Sequence, residues 1–161
     1  MSHQQSLEQF FYQVSAYCDA QDWDNYLEQF APEAPLHIPQ WKSEHEYTTN
    51  PKREMSLIYY ANRDGLEDRI FRIRTGKSAA STPMPRTLHM ISNLRYTEQS
   101  AEVLAVSMNF VTHYYRFGES NLFYGQANYT VKPHGDSWRI TSKQVIVLND
   151  KIDSVFDFYH V

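Results

Sequence analysis

The sequence predicts an α+β fold: a strongly twisted, mostly antiparallel sheet with three helices on its concave face. Two observations predict it. Apolar residues recur at helical spacing three times before residue 75, as amphipathic helices require. After residue 85, four long runs rich in β-branched and aromatic residues are separated by short turn clusters, the pattern of an antiparallel meander. Runs of that length do not lie in a flat sheet, because strand twist curls them around whatever covers one face.

The first helix is read from Leu7, Phe10, Phe11, Val14, Tyr17 and Cys18 on one stripe, with Ser6 and Gln9 as an expected capping box. A second, short helix follows Asp22 as N-cap, with Trp23, Leu27 and Phe30 on its apolar side, and Pro32 and Pro35 end it. Leu36 and Ile38 alternate with polar neighbours in a short strand that stops at Pro39. Residues 40–53 are polar and aperiodic, which predicts a long surface loop of the kind that meets partners. Residues 56–60 read as a strand; Asn62 then caps a third helix whose Leu66, Ile70 and Ile73 face the core and whose stop is Gly76. Its other side carries Asp64, Glu67, Asp68, Arg69, Arg72 and Arg74, acids first and bases last, as the helix dipole favours. The four closing strands are expected at 86–97, 101–116, 121–132 and 137–149, with turns at 98–100, 118–120 and 133–136. Three helices stacked on such a sheet make the cone of nuclear-transport-factor-like domains.

Composition narrows the function. A chain of 161 residues, 42% apolar, fills one core, so residues 1–161 are expected to form a single domain. A net charge of −4 and no dense Lys/Arg cluster remove nucleic-acid binding. The absence of a long apolar run or a basic, then apolar, leader predicts a cytoplasmic protein with no membrane partner. One cysteine, Cys18, closes no intrachain disulfide and reads as a buried small hydrophobe. Twelve Tyr, nine Phe and three Trp against five Gly favour either a lined pocket or a surface buried against another protein.

Seven histidines show no metal-ligand spacing: His37 and His45 flank the long loop, and His89 and His113 fall on different strands. No metal is therefore expected in this chain, and a Rieske centre, which needs two Cys and two His, cannot be drawn from one cysteine. Cofactor-free acid–base chemistry in the cone remains an alternative, of isomerase or dehydratase type. Its candidates are Asp19 or Asp22, Tyr59, Tyr60 and His89, because such a site needs a desolvated carboxylate or imidazole opposite a hydroxyl donor. Arg69, Arg72, Arg74, Lys77 and Arg86 form a basic segment suited to bidentate pairs between loops or subunits; local pairs such as Asp68 with Arg72 are the alternative.

Residues 56–93, running through Leu66-Glu67-Asp68-Arg69-Ile70-Phe71-Arg72 and then Pro85, Arg86, Thr87, His89, Ser92 and Asn93, closely resemble the small (β) subunits of aromatic-ring-hydroxylating dioxygenases. The opening helix, the Asp22-Trp23 start, the closing strands and the aromatic tail at 156–161 fit as well, and the wording at 57–63 and 72–76 is nearest the benzoate, toluate and anthranilate branch. The resemblance implies the cone fold and an α3β3 hexamer in which a small-subunit trimer sits under three large (alpha) subunits. It implies that the Rieske [2Fe-2S] cluster and mononuclear Fe(II) belong to the large subunit, with electrons from NADH through a separate reductase. It implies that this chain holds no catalytic, cofactor or metal residue, and that Arg69, Arg72, Arg74, Arg86, His89 and Asn93 are structural or interface groups. The substrate it implies is an aromatic carboxylate, anthranilate ahead of benzoate.

Overall fold

The structure, a computed structural model, describes residues 1–149, 151, 152 and 155–161. Its helices are α1 (His3–Asp19), α2 (Trp23–Glu28) and α3 (Asp64–Arg74). The strands are β1 (Leu36–Pro39), β2 (Ser56–Tyr60), β3 (Arg86–Glu98), β4 (Leu104–Arg116), β5 (Glu119–His134) and β6 (Ser137–Val147), in the sheet order β2-β1-β6-β5-β4-β3. Every neighbouring pair is antiparallel except β1 with β6. The expected α+β architecture is therefore present, with β4 to β6 starting or ending two or three residues from the expected bounds.

Helix α1 starts earlier than expected. Its capping box is Ser2 with Gln5, the preceding occurrence of the same Ser-x-x-Gln pattern, and not Ser6 with Gln9. Tertiary contacts decide between the two: His3 meets the Tyr96 and Trp138 rings edge-on, Gln4 Nε2 donates to the Leu94 carbonyl at 2.9 Å, and Ser6 Oγ accepts from Trp138 Nε1 at 2.9 Å. Asp22 caps α2 as expected. In α3 the N-cap position is Arg63 without a side-chain cap, although Asn62 Oδ1 does accept from the Asp64 N–H at 2.9 Å. Arg63 pairs with Glu67, while Asp68 and Arg72 form no ion pair.

The sheet wraps α1 because its inner positions are large and apolar. Along β4 the residues Leu104, Val106, Met108 and Phe110 alternate inward, and on β5 Phe123, Ala127, Tyr129 and Val131 do the same. Phe11 of α1 meets the Tyr129 ring at 4.5 Å. Fully burying each of the Val, Leu, Met and Phe side chains among them is worth about 1.5–3 kcal/mol. Gly125 lets β5 and β6 approach: a Cβ there would lie 2.0 Å from the Ile146 carbonyl oxygen. The β4–β5 turn is Phe117-Gly118, both at positive φ, so it falls one residue before the expected position. Helix α2 packs on α1, and α3 packs on α2 and β2.

Candidate functional site

Two of the acid–base candidates meet inside the cone. Asp19, the last residue of α1, accepts from His89 Nδ1 at 2.5 Å, from the His89 backbone N–H at 2.9 Å and from the Thr87 hydroxyl at 2.9 Å. Burial alone would raise the Asp19 carboxyl; the His89 hydrogen bonds and charge, with Thr87, outweigh it and hold the group below the usual range. His89 Nε2 is buried with no hydrogen-bond partner among the described residues, and His89 lines a cavity of about 20 Å³ with Phe11, Met108, Phe110, Tyr129 and Lys143. That is room for one water molecule and no substrate. A carboxylate-oriented imidazole is the geometry of a general base, but the space it would serve is filled. The other candidates lie elsewhere: Asp22 caps α2, and Tyr59 and Tyr60 are on β2, at the opposite edge of the sheet from β3. Tyr59 meets His37 edge-on, and Tyr60 packs over Gly65.

The basic residues separate into two sets. Arg69 is half-buried and donates to Asp157 Oδ2 at 2.6 Å, Ser81 Oγ at 2.7 Å and Ser78 Oγ at 3.3 Å, joining α3 to the 79–81 turn and the C-terminal tail. Arg72, Arg74 and Arg86 are exposed. Arg74 pairs with exposed Asp24 at 2.8 Å, the Arg86 guanidinium lies 5.6 Å from the Tyr115 ring centre, and no partner is found for the Arg72 guanidinium among the described residues. Lys77 is likewise exposed.

Asn93 has a different use. It sits at φ +54° where the β3–β4 register slips between Ser92 and Arg95, so it supplies the left-handed residue of a bulge. Asparagine tolerates that conformation and β-branched residues do not. Asn93→Gly is expected to change stability by a few tenths of a kcal/mol, and Asn93→Val to cost about 1–3 kcal/mol, measured by urea denaturation.

Two buried groups were not anticipated. Lys143 points inward from β6, where its Nζ donates to the Val161 carbonyl at 3.2 Å, and burial brings its pKa down to about 8. Nothing in the alternation of residues 137–149 flags a lysine as inward-facing. His160, in the tail, accepts the Asp157 N–H at Nδ1, and burial brings its pKa down to about 4. An unfolded His160 takes up a proton below about pH 6.5. Its contribution is therefore intact above that pH and is lost as pH falls from about 6.5 to about 4, by up to about 3 kcal/mol. Denaturation at pH 7 and pH 4.5 is expected to show a drop that His160→Leu makes smaller.

No helix among the described residues is long and apolar enough to cross a membrane, and among them no three His, Cys, Asp or Glu gather to hold a metal. Cys18 is buried and its thiol is pushed up to about 12 by desolvation, so it is no thiolate ligand.

The outer sheet face is where apolar surface remains. Leu88 is 59% exposed, Met90 55%, Tyr124 42% and Leu122 41%, and the register aligns Leu88 with His113 and Leu122, and Met90 with Val111 and Tyr124. Beside them, Ser107 Oγ donates to Asn128 Oδ1 and Asn128 Nδ2 to Gln144 Oε1, a ladder of uncharged polar groups.

A family model described as ring hydroxylating beta subunit matches residues 14–154. The chain belongs to that family. Among curated relatives, it is 45% identical over 156 residues to the anthranilate 1,2-dioxygenase small subunit of Acinetobacter baylyi, covering 97% of this chain and 96% of the relative. It is 38% identical over 157 residues to the benzoate 1,2-dioxygenase subunit beta of the same organism, covering 98% and 93%. The crystal structure of the beta subunit of benzoate 1,2-dioxygenase from Burkholderia mallei superposes with a TM-score of 0.80 at 34% identity, covering 96% of this chain and 95% of that one. A hexachlorocyclohexane dehydrochlorinase shares the fold alone, with a TM-score of 0.63 at 11% identity, covering 91% and 85%. This chain is thus a ring-hydroxylating dioxygenase beta subunit built on the cone fold.

Proposed function

We propose that this beta subunit is a cofactor-free, single-domain scaffold (residues 1–161) in a cytoplasmic α3β3 dioxygenase, where a small-subunit trimer supports three large subunits. The complex adds both atoms of O₂ to an aromatic carboxylate of the anthranilate or benzoate type, with electrons from NADH through a reductase. The anthranilate assignment is supported by the higher identity to the anthranilate relative than to the benzoate one. On anthranilate, one O₂ and the two electrons of NADH give catechol, carbon dioxide and ammonia. The Rieske cluster and mononuclear iron do not fit this chain's donor set, whose single thiol is buried and protonated; the reading places both in the large subunit. Arg69, His89 and Asn93 then serve the fold, and Arg72, Arg74 and Arg86 serve subunit contacts.

The observation that carries the scaffold reading is the filled cone: the cavity lined by His89 of the Asp19–His89 pair is about 20 Å³. The same pair is what favours a second reading, a cone-pocket acid–base enzyme. Purification of the native particle through a tag on this chain separates the two. The scaffold reading expects an equimolar, larger, iron-containing partner, whereas an iron-free particle of this chain alone favours the pocket enzyme.

A further inference from the structure

We propose that the cleft beside the β4–β5 hairpin is a binding site, on this chain itself, for a small planar aromatic carboxylate. The proposal goes beyond the subunit reading and does not depend on it, because the ligand class follows from the side chains that line the cleft. The cleft has a volume of about 520 Å³ and shares no lining residue with the filled interior around His89. Small-molecule sites are concave, about 300–1,000 Å³, with mostly apolar walls and a few polar groups. Here the walls come from Tyr114, Arg116 and Phe117 at the end of the hairpin, from Pro85, and from Tyr159 and His160 of the tail.

Arg116 supplies the carboxylate end. Its Nη2 donates to the Ala79 carbonyl at 2.7 Å and to the Thr82 carbonyl at 3.3 Å, which fixes the guanidinium, yet no carboxylate among the described residues forms an ion pair with it. A guanidinium already held in place binds a carboxylate with little further ordering. His160 offers a second donor. Its Nδ1 accepts the Asp157 N–H at 3.0 Å, so the proton of the neutral ring is on Nε2, which has no hydrogen-bond partner among the described residues. Glu119 also lines the cleft, but it is exposed, where solvent screens its charge.

Phe117 supplies the aromatic end. It sits at φ +53° in the turn, a conformation that Asn, Asp or Gly adopt at lower cost, and with 72% of its surface exposed the ring gains little burial in exchange. The ring lies instead against the Arg116 guanidinium, 4.5 Å from its centre. Backbone strain of this kind gathers where ligands are clamped. Tyr114, stacked on Phe123 with ring centres 5.3 Å apart, and Tyr159, whose hydroxyl meets Ser81 Oγ at 3.1 Å, add further held faces. Aromatic faces beside a fixed guanidinium receive a ring and its carboxylate together. An aliphatic anion would use the guanidinium alone, and a neutral arene the faces alone.

Titration calorimetry of the full-length chain tests the proposal, with benzoate as the probe, benzamide as its neutral counterpart and acetate as an anion without a ring. Arg116→Gln and Phe117→Gly are compared with wild type, and circular dichroism checks that each is folded. Phe117→Gly relieves the positive φ, so it stays folded and informative even where Arg116→Gln loosens the 79–82 segment. The expected result is saturable benzoate binding to wild type. Benzamide and acetate on wild type, and benzoate on either variant, are expected to bind at least about tenfold more weakly. Absence of saturation at millimolar benzoate overturns the proposal. So does benzamide or acetate binding that matches benzoate, or a folded Phe117→Gly that binds benzoate like wild type. Failure of the subunit reading is visible separately, as the absence of any larger iron-containing partner on tagged wild type.

Discussion

Arg69→Ala is expected to lower the unfolding free energy by about 3–5 kcal/mol, the range for removing one partner of a buried ion pair. Asp157 is buried, accepts from the Arg69 guanidinium, and with its second oxygen caps the 158–160 turn through the Phe158 N–H. Deleting the arginine leaves that carboxylate in a low-dielectric setting with backbone donors alone, and it takes the guanidinium donors from Ser78 and Ser81 as well. The C-terminal turn buries Phe158, Tyr159 and His160, so its release uncovers one end of the core. Arg69→Lys is expected to recover only part of the loss, because an ammonium cannot present the planar fork that reaches Asp157 and Ser81 together. Urea denaturation of the three proteins checks both values; a loss below about 1 kcal/mol for Arg69→Ala would place the pair among ordinary surface bridges.

Asp19→Ala has the second-largest expected effect, about 3 kcal/mol. The carboxylate satisfies three donors at the junction of α1 and β3, and each donor left buried without a partner costs about 1–3 kcal/mol. Asp19→Asn keeps an acceptor and is expected to lose less than half as much. Linkage adds a pH signature. The folded Asp19 carboxyl titrates below its ordinary value, so its contribution is complete above the unfolded pKa of about 3.9 and is lost as pH falls below it. The gap between wild type and Asp19→Ala is therefore expected to narrow in denaturation experiments carried below pH 4.

The order of elements was legible because apolar periodicity and turn residues report local structure directly. The capping box was misplaced by one turn of helix because Ser2-x-x-Gln5 and Ser6-x-x-Gln9 are the same pattern, and only the contacts of His3, Gln4 and Ser6 with β3 and β6 choose between them. Asp19 and His89 were both named as candidates, but their pairing depends on where α1 ends relative to β3. Lys143 was missed because strand alternation assigns an inward position to an apolar residue and gives no signal for a buried amine. The outer face was invisible for a different reason: Leu88, Met90, Val111 and Tyr124 come from three strands, and they become one surface only once the register is fixed. Arg69 and Arg72 look alike in sequence, three residues apart on one helix, yet the guanidinium of the first is committed to the fold and that of the second has no hydrogen bond or ion pair among the described residues.

The most direct test of the scaffold account is turnover per iron in the reconstituted complex containing His89→Gln in place of the wild-type small subunit. The account predicts that complexes which assemble with full iron content turn over the aromatic carboxylate at the wild-type rate per iron, because His89 lines a one-water cavity and meets no substrate. A normally assembled, iron-replete complex that has lost turnover would contradict it, and would place the Asp19–His89 pair in the chemistry.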